Sequence, residues 1–311
     1  MTRTDARLPA EWEPQSAVLV AWPHSETDWA DRLAEVETTY VALVGAIVRF
    51  VRAEYDDTWL RDSGPITLRT AGGFRLLDFR FTGWGGKFEA SRDDALVETL
   101  ERGGLFERAE RASIAFALEG GAIDTDGDGT LLTTWQCLNQ RHPDASREEL
   151  STKLADWLAQ DRVLWLDHGY LEGDDTDAHV DTLARFASPD SIVFQGCDDP
   201  NDSHYPHLRA MADELAALRT KDGQPYRLFE LPWAQPILDD GRRLAASYAN
   251  FLIVNGAVLA PSYGDAADAR AQAVLREAFP AHEIVMVPCR PLIWQNGSLH
   301  CITMQLPEGV V

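Results

Sequence analysis

Cys301 stands in the segment Asn296-Gly297-Ser298-Leu299-His300-Cys301-Ile302-Thr303, ten residues before the end of a 311-residue sequence. A turn with a flexible glycine, here Gly297, can present a thiol to a cavity instead of burying it. Alone this means little, because most free cysteines are small buried hydrophobes. Three further segments carry what a cysteine nucleophile needs: Trp59-Leu60-Arg61-Asp62, Glu119-Gly120-Gly121 and His179-Val180-Asp181. A guanidinium group is planar, permanently charged and a donor on every edge. Taking it out of water requires carboxylates that accept paired hydrogen bonds, for which Asp62 and Asp181 are the candidates. An aromatic face over the plane adds roughly 0.5–2 kcal/mol, and Trp59 is suitably near Asp62. The delocalised charge makes the guanidinium carbon a poor electrophile. A thiolate can attack it once carboxylates and a general acid hold the geometry. His179 suits that acid/base role by its near-neutral titration. On a strand, His179 and Asp181 would face the same side. Glu119 could orient the imidazole, and Gly120-Gly121 would let backbone and substrate approach closely. Each residue also has a bland local alternative: an Arg61 ion pair or turn cap for Asp62, a hydrogen-bonded structural role for His179, and a Gly-Gly turn with an exposed Glu119.

These segments must be positioned by the elements between them. Helical periodicity predicts helices over Ala30–Arg49, Arg92–Arg102, Arg147–Leu158, Tyr205–Leu218 and Asp268–Phe279, spaced by roughly 60 residues. Between them lie β-type runs: Ala17–Trp22, Pro65–Leu68, Phe74–Phe81, Ser113–Ala117 and Thr130–Thr134, then Val163–Leu166, Asp190–Phe194, Tyr226–Leu231, Ala246–Val254 and Glu283–Val287. Five mixed units suggest a closed, pseudo-symmetric α/β assembly. An ordinary open α/β sheet gives the same alternation. If the units close into a ring, their loops meet in one axial cavity, and residues 62, 119, 179, 181 and 301 meet with them.

Composition narrows the class. Lys and Arg number 28 against 50 Asp and Glu, for a net charge of -22. Such a chain repels phosphate backbones and anionic lipid, which argues against nucleic-acid and membrane partners; the acidity also serves solubility. None of Cys137, Cys197, Cys289 and Cys301 forms a C-x-x-C pair, and so few cysteines do not make a secreted disulfide framework. No apolar run resembles a signal peptide or a spanning helix. A reducing, cytoplasmic compartment is expected.

Other motifs are set aside. Asp124-Thr-Asp126-Gly-Asp128-Gly129 begins like a calcium loop, but position 12 is Trp135 instead of Glu, and a hairpin turn is expected. His168 and His179 lack the close spacing of helix-borne metal ligands. His300 would point away from the site if its segment is extended. Cys137, Cys197 and Cys289 show no nearby acid/base pattern and are expected to be structural.

The assembled segments resemble the agmatine deiminase / bacterial peptidyl-arginine deiminase family of the guanidine-modifying, pentein superfamily. The matching pieces are Trp12-Glu13, Trp22-Pro23-His24, Asp56 through Pro65, Gly83-Trp84-Gly85-Gly86-Lys87, Glu119-Gly120-Gly121, Asp174 through Asp181, and Ser298-Leu299-His300-Cys301, in order and nearly end to end. The resemblance implies one catalytic domain over 1–311, a five-bladed α/β propeller with its active site in the axial funnel. It implies Cys301 as the nucleophile forming an amidino-thioether and His179 as general acid/base. Asp62 and Asp181 would bind the guanidinium, Trp59 would stack on it, Glu119 would support the histidine, and Gly297 would lie at the substrate. The implied reaction is agmatine plus water giving N-carbamoylputrescine and ammonia, a step of putrescine formation, with no metal or organic cofactor. The alternatives are a deiminase of peptidyl arginine, an amidinotransferase and a non-catalytic ring-shaped binding module; a homodimer is admitted. Two departures stand out. Asp175-Thr176-Asp177-Ala178-His179 replaces a Glu-Thr-x-Gly-His segment of plant-type relatives, and Asp175 is the residue expected at the distal amine. The helix ending near Phe50 runs almost directly into Val51-Arg52-Ala53-Glu54, where relatives would have another strand and a short helix. Either the first blade is short or a segment is missing there.

Overall fold

The computed structural model of the chain describes residues 6–44 and 51–311. One unit recurs: a strand, an antiparallel neighbour, a helix, then a strand parallel to the second. The first unit comprises Ile66–Thr70, Gly73–Arg80, the helices Ser91–Asp94 and Leu96–Arg102, and Ala109–Ala117. Its outer edge is extended by Ala6–Arg7. The second comprises Ile123–Thr125, Thr130–Thr134, the helices Trp135–Arg141 and Arg147–Trp157, and Arg162–Leu166. The third comprises Ala184–Ser188, Ser191–Gln195, the helix Tyr205–Ala217 and Arg227–Leu231. The fourth comprises Leu252–Val254, Ala257–Ser262, the helix Ala267–Ala278 and Glu283–Pro288. A fifth joins the two ends of the chain: Thr303–Pro307 pairs antiparallel with Gln15–Val20, and the helix Leu33–Leu43 follows. The units keep separate sheets, and no sheet closes on itself among the described residues.

Local chemistry explains the helices. Ser146 and Glu149 form a reciprocal capping box at the start of Arg147–Trp157, which buries Leu150, Leu154 and Ala155. Tyr205–Ala217 has proline in its first turn and buries Leu208, Met211 and Leu215. Ala267–Ala278 buries Ala267, Ala271 and Leu275 along one stripe. The middle strand Ser191–Gln195 is buried throughout, as expected of a strand paired on both sides and covered by a helix.

The expected helices all appear, with shifted ends. Ala30–Arg49 is realised as a 3-10 turn Ala30–Arg32 and the helix Leu33–Leu43; its last residues lie outside the described set. Residues 51–55 carry no strand, so the described part of the fifth unit lacks the parallel third strand that the other four have. Three expectations fail. His179-Val180-Asp181 is not a strand: Val180–Thr182 is a 3-10 turn, closed by Thr182 N–H to the His179 carbonyl at 3.2 Å. Leu299–Ile302 is likewise a turn and not extended. Ala246–Val254 is a strand only over Leu252–Val254. Upstream of it the Tyr248 N–H is taken by the Gln195 side chain at 2.9 Å, and the Asn250 carbonyl accepts from His300 N–H at 3.2 Å, so no ladder partner is left to them. The Asp124–Gly129 segment is the expected hairpin, with Asp126 accepting the N–H groups of Asp128 and Thr130 at 2.8 Å each.

Candidate active site

The short segments that precede the first strand of each unit carry the chemistry. Asp62 lies in the helical turn Leu60–Ser63 before Ile66; Glu119 and Gly121 precede Ile123; His179 and Asp181 precede Ala184; Cys301 precedes Thr303. The turns Leu60–Ser63, Gly120–Ala122 and Val180–Thr182 pack on one another. The Arg61 N–H donates to the Cys301 carbonyl at 3.1 Å and fastens the turn that carries Cys301 to them. Residues far apart in sequence thus share one buried point.

Cys301 is almost fully buried, its Sγ 3.8 Å from Asp181 Oδ2. Asp181 Oδ2 also faces His300 Nδ1 at 2.7 Å, and His300 Nε2 faces Glu11 Oε2 at 2.7 Å. His300 therefore braces Asp181 from behind and takes no place beside the sulfur. His179 sits between two carboxylates, Nδ1 3.6 Å from Asp62 Oδ1 and Nε2 3.7 Å from Glu119 Oε2. Both separations exceed a hydrogen bond. Glu119 is buried, not the exposed end of a Gly-Gly turn, and Arg141 Nε donates to its other oxygen at 2.7 Å. Arg61 does not pair with Asp62; its guanidinium is directed at Glu11, 3.7 Å away. Asp62 instead accepts from Gly121 N–H at 3.0 Å and from the Trp84 indole at 2.8 Å.

Space here is as specific as charge. A Cβ on Gly121 would lie 2.6 Å from His179 Nδ1, 2.8 Å from Asp62 Oδ1 and 3.2 Å from Asp181 Oδ2. That one point shows how closely the three side chains converge, and why nothing larger than glycine fits. Gly297 answers a different need from the expected flexibility: a Cβ there would come within 2.1 Å of the Trp59 ring. The missing side chain lets the indole lie against the turn that carries Cys301. Trp59 is held by its own N–H to Asp57 at 3.0 Å and by Trp29, 5.8 Å away between ring centres.

Above Cys301 opens a cavity of about 570 Å³, walled by Trp59, Asp62, Trp84, Phe88, Trp294 and Gly297. Its rim carries Glu26, Asp28, Asp56, Asp57, Glu89 and Asp93, joined by Asp175, against one cation, Arg242. Asp175 hydrogen-bonds Asn296 and stands at this rim, away from the sulfur.

The electrostatics follow from burial. Burial, with the charges of Asp181 and Asp62, pushes the Cys301 thiol well above its ordinary range. Burial alone would lower His179, but Asp62, Cys137 and Glu119 hold it well above the usual imidazole value. Asp62 is raised by burial despite His179, whereas His300 keeps Asp181 low against its own burial penalty. The resting pair near neutrality is a thiol and an imidazolium.

Sequence reasoning passed over several members. Asn250, before the first strand of the fourth unit, places Nδ2 3.3 Å from Cys301 Sγ. Its Oδ1 accepts the His300 N–H at 2.9 Å, which fixes which end of the amide is which. No spacing rule picks out an asparagine 51 residues before a cysteine. Trp84 lies in the quoted Gly83-Trp84-Gly85 motif, where flanking glycines were a signal for its left-handed backbone, φ +55°. A bulky residue in that region stores strain, a mark of a functional site. Arg141 comes from a helix the periodicity missed. Cys137, on the same helix, is a correction: it does have acid/base neighbours, since its ligand atom lies within 4.8 Å of those of Glu119 and His179.

Two variants test this arrangement. Asn250→Ala removes the amide donor beside the sulfur, and a hydrogen bond to a charged group contributes about 1.5–3 kcal/mol. Alkylation of Cys301 by iodoacetamide at fixed pH should slow about tenfold or more, its pH midpoint moving up; an unchanged profile would show that Asn250 does not stabilise the thiolate. Gly121→Ala leaves the backbone permitted but drives His179 and Asp62 apart. The protein should fold normally by circular dichroism while turnover drops by about 10²-fold or more.

The geometry can now be set beside known proteins. The sequence profile of the Porphyromonas-type peptidyl-arginine deiminases matches residues 7–53 and 46–307, so its break falls at the short fifth unit. The agmatine deiminase of Stutzerimonas stutzeri is 35% identical, the match covering 98% of this chain and 96% of that one. That of Pseudomonas putida is 36% identical over 97% and 96%. A cysteine-to-serine variant of the C. jejuni agmatine deiminase, solved with substrate bound, superposes with a TM-score of 0.92 at 33% identity, over 98% of this chain and 97% of that chain. An end-to-end match in sequence and fold leaves one conclusion: the chain belongs to the Porphyromonas-type peptidyl-arginine deiminase family.

Proposed function

We propose that the protein is a C–N hydrolase that deiminates agmatine. The observation that carries this is a buried carboxylate oxygen without a partner, Asp181 Oδ1, on the group whose other oxygen lies 3.8 Å from Cys301 Sγ. Leaving such an atom unpaired is costly, and a planar cation with five N–H donors is what satisfies the carboxylate. The activity of the matched relatives supports the same reaction.

The steps follow from the residues. A guanidinium enters between Asp62 and Asp181 with Trp59 along its face. Its positive charge offsets the two carboxylates that hold the Cys301 proton in place. The thiol gives that proton to solvent as Sγ bonds to the guanidinium carbon. A C–N bond then breaks, and ammonia leaves with the proton of the His179 imidazolium, giving the amidino-thioether. The neutral His179 next takes a proton from water as its oxygen attacks the same carbon. The C–S bond breaks, the sulfur takes the proton of the new hydroxyl and is again a thiol, and the neutral ureido product departs. Each step uses only protein groups, substrate and water.

The acidic rim favours a substrate with a second positive charge, with Asp175 at the distal amine. Arg242 at the same rim favours a second reading, a deiminase of C-terminal arginine whose carboxylate it would meet; it is, however, already engaged by Asn296 and the Trp294 carbonyl. In this proposal the five units surround the funnel as the blades of one pseudo-symmetric propeller, residues 1–311 form one catalytic domain, and the protein works in the cytoplasm, with a homodimer admitted. No helix among the described residues is long and apolar enough to cross a membrane, and the net charge of -22 disfavours nucleic acid.

Ammonia and N-carbamoylputrescine should form from agmatine and vanish with Cys301→Ala; full activity in that variant would remove Cys301 from its role. Rates on agmatine, free arginine and a C-terminal arginine peptide separate the two substrate readings. A pH dependence follows too. Burial pushes Asp57 up to about 6 and Asp93 up to about 7, so both are neutral in acid and ionise only as pH rises through those values. Agmatine affinity for the inactive Cys301→Ala protein, measured by calorimetry, should therefore strengthen roughly tenfold (about 1.4 kcal/mol) from pH 5.5 to 8, and Asp93→Asn should blunt the rise. A flat profile would mean that these carboxylates do not meet the substrate.

A further inference from the structure

Beside His179 lies a second buried thiol. Cys137, Glu119 and His179 each offer one ligand atom within 4.8 Å of the other two, and all three residues are buried. No other group of three such side chains meets that criterion among the described residues, Cys301 with its neighbours included. Two of the atoms, His179 Nε2 and Glu119 Oε2, have no hydrogen-bond partner and face each other at 3.7 Å. A tetrahedral zinc ion with nitrogen and oxygen bonds of about 2.0–2.2 Å holds those two atoms roughly 3.3–3.5 Å apart, so this edge has only a few tenths of an ångström to close. One sulfur, one imidazole nitrogen and one carboxylate oxygen form a donor set for a borderline-soft divalent cation and not for magnesium or calcium.

The surroundings support the same ligand. Asp62 Oδ1 stands 3.6 Å from the other ring nitrogen, the position from which a carboxylate orients a metal-bound histidine. Glu119, Asp62, a Cys137 thiolate and Asp177 carry four negative charges, and Arg141, paired with both Glu119 and Asp177, and Lys87, paired with Asp177, supply two positive charges. A dication completes neutrality.

We infer that Glu119, Cys137 and His179 form an inhibitory site for a zinc-class divalent cation, separate from the nucleophile. The metal bonds to Cys137 Sγ as the thiol proton leaves to solvent, to His179 Nε2 as the imidazolium gives up that nitrogen's proton to solvent, and to Glu119 through a lone pair, with a fourth position for water. No oxidation state changes. Occupancy removes the imidazole from acid/base work while leaving Cys301 free. The inhibitory consequence rests on His179 acting in deimination; the binding itself does not.

Cobalt(II) reports the site without turnover, because thiolate ligation gives an intense near-ultraviolet charge-transfer band. Titrated with Co2+, the wild type and Cys301→Ala should both develop that band at one equivalent, while Cys137→Ala and the near-isosteric Cys137→Ser should not. In ammonia-release assays Zn2+ should inhibit the wild type reversibly by EDTA, and Cys137→Ser should need at least tenfold more Zn2+, each variant referred to its own metal-free rate. A band that survives Cys137→Ser and is lost in Cys301→Ala would assign the metal to the nucleophile and overturn the proposal. So would the absence of a band in every protein, whatever the enzyme does with agmatine.

Discussion

Negative charge enclosed without enough positive charge is the constraint to which the molecule is fitted. Asp62, Asp181 and Glu119 are buried within reach of one imidazole and one thiol. Ionised carboxylates are expensive to bury unless paired, and the protein pairs them only in part. Arg141 takes one oxygen of Glu119, and His300 takes one oxygen of Asp181. Further back, Arg185 Nη2 reaches Glu11 at 2.9 Å, so that the brace behind His300 is itself braced. Asp181 Oδ1 and Glu119 Oε2 are left without a hydrogen-bond partner, and the proposed function gives the first of them to a cation from outside. Elements remote from the chemistry matter for this reason: the N-terminal Glu11, the helix carrying Arg141 and the strand carrying Arg185 all hold site carboxylates where their charge is needed.

How much of this was legible depends on which physical signal each residue leaves. The paired strands and amphipathic helices of the four complete units declare themselves through periodicity, because each buries one face. Asp62, Glu119, His179, Asp181 and Cys301 stood out because their types and neighbours suit one chemistry, and the structure does bring them together. What failed was local conformation. His179 and Asp181 were expected to share a strand face and instead share a turn, for which a two-residue spacing serves as well when the chain bends between them. Asn250 and Trp84 were illegible as site residues because an amide and an indole acquire meaning only from what they touch. Cys137 was dismissed for lacking acid/base neighbours in sequence, yet its neighbours in space come from the entry turns of its own unit and of the following one.

The repeat itself explains why the site can be assembled. A turn that enters the first strand of a unit lies at the same end of every unit, so five such turns offer five places for side chains. The chain fills them unequally: a carboxylate in the first, a carboxylate and glycine in the second, an imidazole and carboxylate in the third, an amide in the fourth and a thiol in the fifth. A repeated backbone unit thus holds an unequal set of side chains. The two glycines follow the same logic, since Gly121 sits where three charged side chains converge and Gly297 where an indole must lie flat on the nucleophile's turn.

Burial also governs when the nucleophile becomes reactive. A thiolate exposed at all times is open to oxidation and adventitious alkylation. In the proposed function, the carboxylates that bind the guanidinium, Asp62 and Asp181, are the same groups that raise the Cys301 thiol. Their two effects cannot be separated: each carboxylate that strengthens binding of a guanidinium also raises the free thiol. When the cation occupies the site it cancels those charges, and the amide of Asn250 is left as the nearest donor to the sulfur. Activation is therefore tied to occupancy by the charge balance alone, with no moving lid needed to enforce it. A neutral molecule of the same shape would fill the cavity and leave the thiol protonated, so the site selects for charge in the chemical step as well as in binding.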